Sequence, residues 1–218
     1  MILPDTLTVK DLREIEKANP QMPQFVHRLT CHTYDQFVDT LYVEMDSIFA
    51  GLVKDANTLQ GDGHTENSLN ADICRQLNRA GYSAHFDKNN RGHSDVTVEY
   101  GRFSWIGEGK KVKSVNNTHL RGGYDQLLDR YVTGMAGADR AGILIYCYAP
   151  DAKHVLTKWR EDLEQKDQAN AGYAGNIAPW VGNEDFAFSC TSQHKASGAT
   201  LKIKHIVAPF YWSPPKSP

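Results

Sequence analysis

"HSDVTVEYGRFSWIGEGKK", His93 to Lys111, decides how the rest of the chain is read. On either side of Gly101 it alternates β-branched or aromatic residues with polar ones, the pattern of two half-buried strands joined by a tight turn. A two-residue type II′ loop at Gly101-Arg102, with glycine at the first central position, would place Asp95 opposite Glu108. Lys110 then points to the same face, and Val96, Val98, Tyr100, Phe103 and Trp105 share the other. A slip of one residue would drive Glu108 into that aromatic layer, so the hydrophobic pattern supports this register. Two carboxylates side by side, with Cβ atoms about 5 Å apart, are destabilising unless a cation lies between them.

Before the hairpin, "TENSLNADICRQLNRAG" predicts a helix through Leu69, Ile73 and Leu77, stopped by Gly81, and "YSAHF" a first strand. Glu66 lies on the same stripe as Leu69 and Ile73, where a lone carboxylate needs a partner, although an acid in a first turn also suits the helix dipole. After the hairpin, "LRGGYDQLLDRYVTGM" returns to helical spacing through Leu120, Tyr124, Leu127, Leu128, Tyr131 and Met135. "AGILIYCY" reads as a central strand buried on both faces, and "APDAKHVLTKWREDLEQK" as a helix begun by Pro150 and Asp151. "DFAFSCTSQ" and "ATLKIKHIVAPF" are expected to pair and extend the sheet at one edge. Upstream, "TVKDLREIEKA" is a short amphipathic helix. "TYDQFVDTLYVEMDSIFAGLVKDA" is a long one, apolar at Phe37, Leu41, Met45, Ile48, Phe49 and Leu52. The reading is α/β, a mixed sheet flanked by helices, with residues 1–60 as an N-terminal helical extension packed on a core domain of 61–218.

The chain has 218 residues, and its 24 Lys+Arg against 26 Asp+Glu remove any global electrostatic case for nucleic acid, so such a case must be local. Cys31, Cys74, Cys147 and Cys190 form no CxxC pair, which predicts buried thiols and argues against zinc ribbons or a disulfide framework. No stretch approaches the ~20 apolar residues of a membrane span. A soluble, cytoplasmic protein without membrane association is expected.

Asp95, Glu108 and Glu66 would offer oxygen donors suited to Mg²⁺ or Mn²⁺ rather than zinc, with the Lys110 ammonium beside them. Gln126 and Arg130 share a helix face and are candidates for substrate contact. Lys111 and Lys113 in "KKVKS" would track phosphates or form an ordinary solvated edge; His64, Arg91 and His93 flank the site in loops.

The helix acid followed by Asp95 and then Glu108-Gly109-Lys110 on successive strands resembles the PD-(D/E)XK nuclease superfamily of restriction-endonuclease-like enzymes, over roughly Thr65 to Tyr148. The resemblance implies a core order α-β-β-β-α-β. It implies metal ligation by Asp95, Glu108, Glu66 and the Gly109 carbonyl, with Lys110 acting on the attacking water. It further implies a Mg²⁺- or Mn²⁺-dependent nuclease, an endonuclease more than an exonuclease and on DNA more than RNA, in a prokaryotic restriction or phage-defence system. Ser94 replaces the proline of the family's name, and Tyr131 lies five residues after Gln126 where RecB-like members have four. Near-neutral charge and the long upstream helix suggest a homodimer or a subunit of a larger complex. The alternative is a catalytically inactive nuclease-fold subunit that binds nucleic acid or serves assembly.

Overall fold

The hairpin forms in the register its side chains require. The computed structural model describes residues 6–19, 25–89 and 92–213, and their side chains except those of Phe25, Arg130 and Tyr131. In it β2 (His93–Tyr100) and β3 (Phe103–Val112) pair antiparallel from Tyr100 opposite Phe103 to Val96 opposite Gly107. Gly101 takes φ +57°, and Arg102 is not among the described non-glycine residues with positive φ, as a type II′ loop requires.

Around this hairpin stands a seven-stranded mixed sheet in the order β1-β2-β3-β4-β7-β6-β5. Strand β1 (Ser83–Asn89) lies antiparallel to β2, while β4 (Arg140–Cys147) is parallel to β3, and β7 (Thr200–Pro209) is parallel to β4. β6 (Ala187–Gln193) and β5 (Gly175–Pro179) continue antiparallel beyond β7. The expected terminal pair thus extends the sheet, but β7 is an inner strand beside β4 and the edge belongs to β5. That strand escapes the pattern because "GNIAP" is five residues long with glycine and proline at its ends.

Helices cover both faces. Helix α3 (Tyr34–Lys54) starts in a capping box between Thr33 and Gln36. With α4 (Glu66–Arg79) it packs on the face carrying Val96, Val98, Trp105, Leu144 and Tyr146. Helices α5 (Asn117–Gln126) and α6 (Ala152–Ala169) pack on the face of Ile106, Val112, Ile143 and Ile145. Strand β4 therefore feeds both cores by alternation, as its unbroken apolar run predicts. Two shorter helices, α1 (Val9–Ala18) and α2 (Phe25–Leu29), precede α3, which buries eight residues of its own in the shared core. All four cysteines are buried and unbridged. Among the described residues no helix is long and apolar enough to cross a membrane.

One expected helix ends early. After Gln126 the chain makes a π-helical turn, Leu127–Tyr131, with the Val132 N–H bonded to the Leu127 carbonyl, and leaves the helix there. The wider turn breaks the 3.6-residue phase, and Met135, expected on the apolar stripe, is 70% exposed.

Trp105 anchors the hairpin to α3. Its indole is fully buried, meets the Tyr42 ring edge-on at 6.2 Å and donates from Nε1 to the Tyr42 hydroxyl at 3.2 Å. Truncating it leaves a cavity and takes from the Tyr42 hydroxyl its indole donor. Trp105→Ala should therefore lower the unfolding free energy by about 3–5 kcal/mol, read from the midpoint of a urea transition.

Candidate active site

Strand β3 stays paired with β4 as far as Val112, but its pairing with β2 stops at Gly107. Beyond that point the backbone N–H groups of Gly109 and Lys111, which point to the edge β2 has vacated, have no strand partner. Carboxylates replace it. Asp95 Oδ2 accepts from the Gly109 N–H at 2.9 Å, and Glu66 Oε2, reaching down from the first turn of α4, accepts from the Lys111 N–H at 2.6 Å. Asp95 sits one residue past the last ladder pair, so its carboxylate enters the gap between the strands instead of standing squarely across from Glu108. A residue's N–H and C=O leave a strand on the same edge, so the Gly109 carbonyl points into this gap too.

Glu108 and Lys110 point to the α5 layer. A Cβ on Gly123 of α5 would come within 2.5 Å of Lys110 Cε and 3.1 Å of Glu108 Cγ, so a side chain there would displace Lys110 and crowd Glu108. Gly109 faces α4, where a Cβ would collide with the Asn70 amide. The expectation of one acidic face is thus corrected: Glu66 and the Glu108–Lys110 pair approach the fork from opposite sides of the sheet.

Burial sets the electrostatics. Lys110 Nζ donates to Glu108 Oε1 at 2.7 Å, with 10% and 3% of the two side chains exposed. Glu108 Oε2 is buried and has no hydrogen-bond partner among the described residues. Burial first, and then the Asp95 charge, push the Glu108 carboxyl up to about 7 despite Lys110. Burial also raises Asp95, against the Gly109 N–H and Lys110, which hold it down. For Lys110 burial pulls the other way, but Glu108 and the neighbouring acids outweigh it and its pKa rises. The fork is short of positive charge.

Several residues here escaped the sequence reading. His119, in the first turn of α5, bonds Glu66 Oε2 through Nε2 at 2.8 Å. Asn70, one turn after Glu66, is fully buried and accepts from the Tyr146 hydroxyl at 2.6 Å. The signal for Asn70 is its i,i+4 spacing from Glu66. For Gly123 it is the glycine pair inside a helical pattern, a cost to helix stability that signals a close approach there.

The expected substrate contacts are less concentrated. Lys111 Nζ donates to the His64 carbonyl at 2.5 Å and lies 4.4 Å from the Tyr148 ring centre, so it braces the fork. Lys113 is exposed just beyond β3, and Gln126 is half-buried at the end of α5. His93 is exposed and pairs with Asp87 at 2.9 Å. Arg91 and the Arg130 side chain lie outside the described residues.

A divalent cation suits the donor chemistry, since the carboxylates are hard oxygen donors, the Gly109 carbonyl points into the same gap and a buried oxygen of Glu108 has no hydrogen-bond partner among the described residues. The donors are not preassembled: among the described residues no three of the His, Cys, Asp and Glu side chains form a group able to hold an ion. Glu66 would have to turn from the Lys111 N–H. No family model, curated protein or solved structure matches the chain, so the site is read from its own geometry.

Glu108 makes stability depend on pH. Between its ordinary value of 4.5 and its folded value of about 7, the native state binds a proton that the unfolded state does not. Stability therefore falls as pH rises through this window, by about 3 kcal/mol in all. Chemical denaturation at a series of pH values should show that fall in the metal-free protein and a flatter profile in Glu108→Gln.

Proposed function

We propose that this protein is a divalent-metal-dependent nuclease that hydrolyses phosphodiester bonds, DNA in preference to RNA, on a restriction-endonuclease-like core. The observation that carries this reading is the meeting of Asp95, Glu108, Lys110 and the Gly109 backbone edge at the strand fork, with Glu108 Oε2 buried and unpartnered. Asp95, Glu108, the Gly109 carbonyl and Glu66 would hold Mg²⁺ or Mn²⁺. Such an ion supplies Lewis acidity, lowering the pKa of bound water and neutralising phosphate charge.

The chain's own groups have separable tasks. Lys110, held by Glu108 and the packing at Gly123, places an ammonium beside the carboxylates, where it can orient a water and stabilise negative charge developing on phosphorus-bound oxygens. Attack of that water on phosphorus breaks one P–O bond and leaves a phosphate monoester and an alcohol. His119 and the Lys111 N–H position Glu66. Exposed Lys113 is placed to meet the strand's phosphates, and Gln126 with Arg130 would contact substrate from the end of α5. Action as a homodimer or within a larger restriction or phage-defence complex belongs to the same proposal.

One observation favours a second reading, a nuclease-fold subunit that binds nucleic acid or assembles without cutting: Glu108 and Lys110 already satisfy each other at 2.7 Å. Supercoiled plasmid, linear DNA and RNA, incubated with Mg²⁺, Mn²⁺ or EDTA, separate the two. The nuclease reading expects metal-dependent cleavage, abolished by EDTA and reduced about 100-fold or more in Asp95→Asn and Lys110→Gln variants of unchanged circular dichroism. Full cleavage by both variants would refute the site. Absence of cleavage by the wild type on every substrate would favour the second reading.

A further inference from the structure

Away from the fork, the α3 side of the sheet carries a second concentration of charge. The strand registers place Arg140 of β4 directly beside Lys202 of β7 and Lys202 beside Thr191 of β6, and set Lys204 next to Ser189 one row further on. Like charges directly opposed across strands repel, so this arrangement weakens the sheet unless anions offset it. Two do so in part. Arg140 pairs with Asp35, and Lys204, whose side chain is only 4% exposed, is held by both Asp46 oxygens at 3.0 and 3.2 Å. Its ammonium also lies 4.6 Å from the Tyr42 ring centre and 4.3 Å from that of Trp180.

Three cations thus face two carboxylates. Among the described residues, exposed Lys202 has no ion pair and the buried Arg140 Nε has no hydrogen-bond partner. These groups line a cleft of about 140 Å³ whose other walls include Trp180, Asn176 and Ser189. Asn176 takes a left-handed φ of +51° in β5 and bonds its amide to Thr191 Oγ1 at 3.1 Å. The Ser189 hydroxyl makes no hydrogen bond among the described residues. A guanidinium, two ammonium groups, a hydroxyl and an amide around one concavity suit a ligand with several acceptor oxygens and more than one negative charge.

We infer that this cleft binds the phosphate group of a small phosphorylated ligand. It is separate from the fork. Lys110 lies beside Ile145 on β4, five residues (~17 Å) along the strand from Arg140, and its side chain points to the opposite face of the sheet. The inference therefore stands whether or not the fork cuts nucleic acid.

The test is titration of the full chain by calorimetry and tryptophan fluorescence, at constant ionic strength in chloride. The probes are inorganic phosphate, a nucleoside 5′-monophosphate and a single-stranded oligonucleotide without terminal phosphate. Saturable phosphate binding, displaced by the monophosphate and weakened at least about tenfold in Lys202→Glu, is expected. Glu108→Gln at the fork and Lys10→Glu, the same charge reversal on exposed α1, should bind as the wild type does. Phosphate binding no stronger than chloride, or undiminished in Lys202→Glu, would overturn the inference, as would binding of the oligonucleotide without the monophosphate.

Discussion

Where β2 parts from β3, inside the sheet, two backbone N–H groups are left without a strand to receive them. Unpaired backbone donors in a half-buried setting are costly, and here their acceptors are side-chain carboxylates, Asp95 from the departing strand and Glu66 from the helix above. The rest of the site follows from that substitution. Bringing two acids to the fork raises the cost of ionising a third, Glu108, and Lys110 offsets only part of it. Helix α5 can lie close enough to close the floor because Gly123 offers no side chain to obstruct the pair.

The same sheet handles charge differently at its two ends. At the fork, negative charge exceeds positive and a buried carboxylate oxygen lacks a partner. Across β4 and β7 on the α3 face the excess is positive, spread over Arg140, Lys202 and Lys204, with aromatic rings screening the most buried of them. Uncompensated charge of opposite sign at these two places is the ground on which a ligand is proposed for each. A near-neutral chain can therefore carry two strongly charged sites, which its net charge of -2 conceals.

Much of this is legible in the sequence because one constraint dominates the hairpin. The aromatic and β-branched residues of "HSDVTVEYGRFSWIGEGKK" tolerate only one register, and a glycine sits where a II′ loop needs it, so the order of strands and the neighbourhood of Asp95, Glu108 and Lys110 follow from periodicity. Periodicity fails where the determinant lies elsewhere. The direction of the Asp95 carboxylate depends on where pairing with β2 ends, a property of two strands and their twist. Glu66 faces the sheet as its stripe requires, but no helical spacing reveals that Glu108 leaves by the other face. The π-helical turn at Leu127–Tyr131 shifts the stripe's phase, and β5 is too short and too rich in breakers to show alternation. The Arg140–Lys202 apposition joins residues far apart in the chain and appears only with the β4–β7 register.

As a nuclease site, the fork would need a divalent cation to complete it. Electron paramagnetic resonance of Mn²⁺ titrated into the purified protein near pH 8, where Glu108 is ionised, measures this without reference to any substrate. Loss of the free Mn²⁺ signal is expected, with one saturable site per chain, displaced by Mg²⁺ and absent in a double variant Asp95→Asn, Glu108→Gln that remains folded. An undiminished free Mn²⁺ signal in the wild type, or equal binding by the double variant, would contradict it.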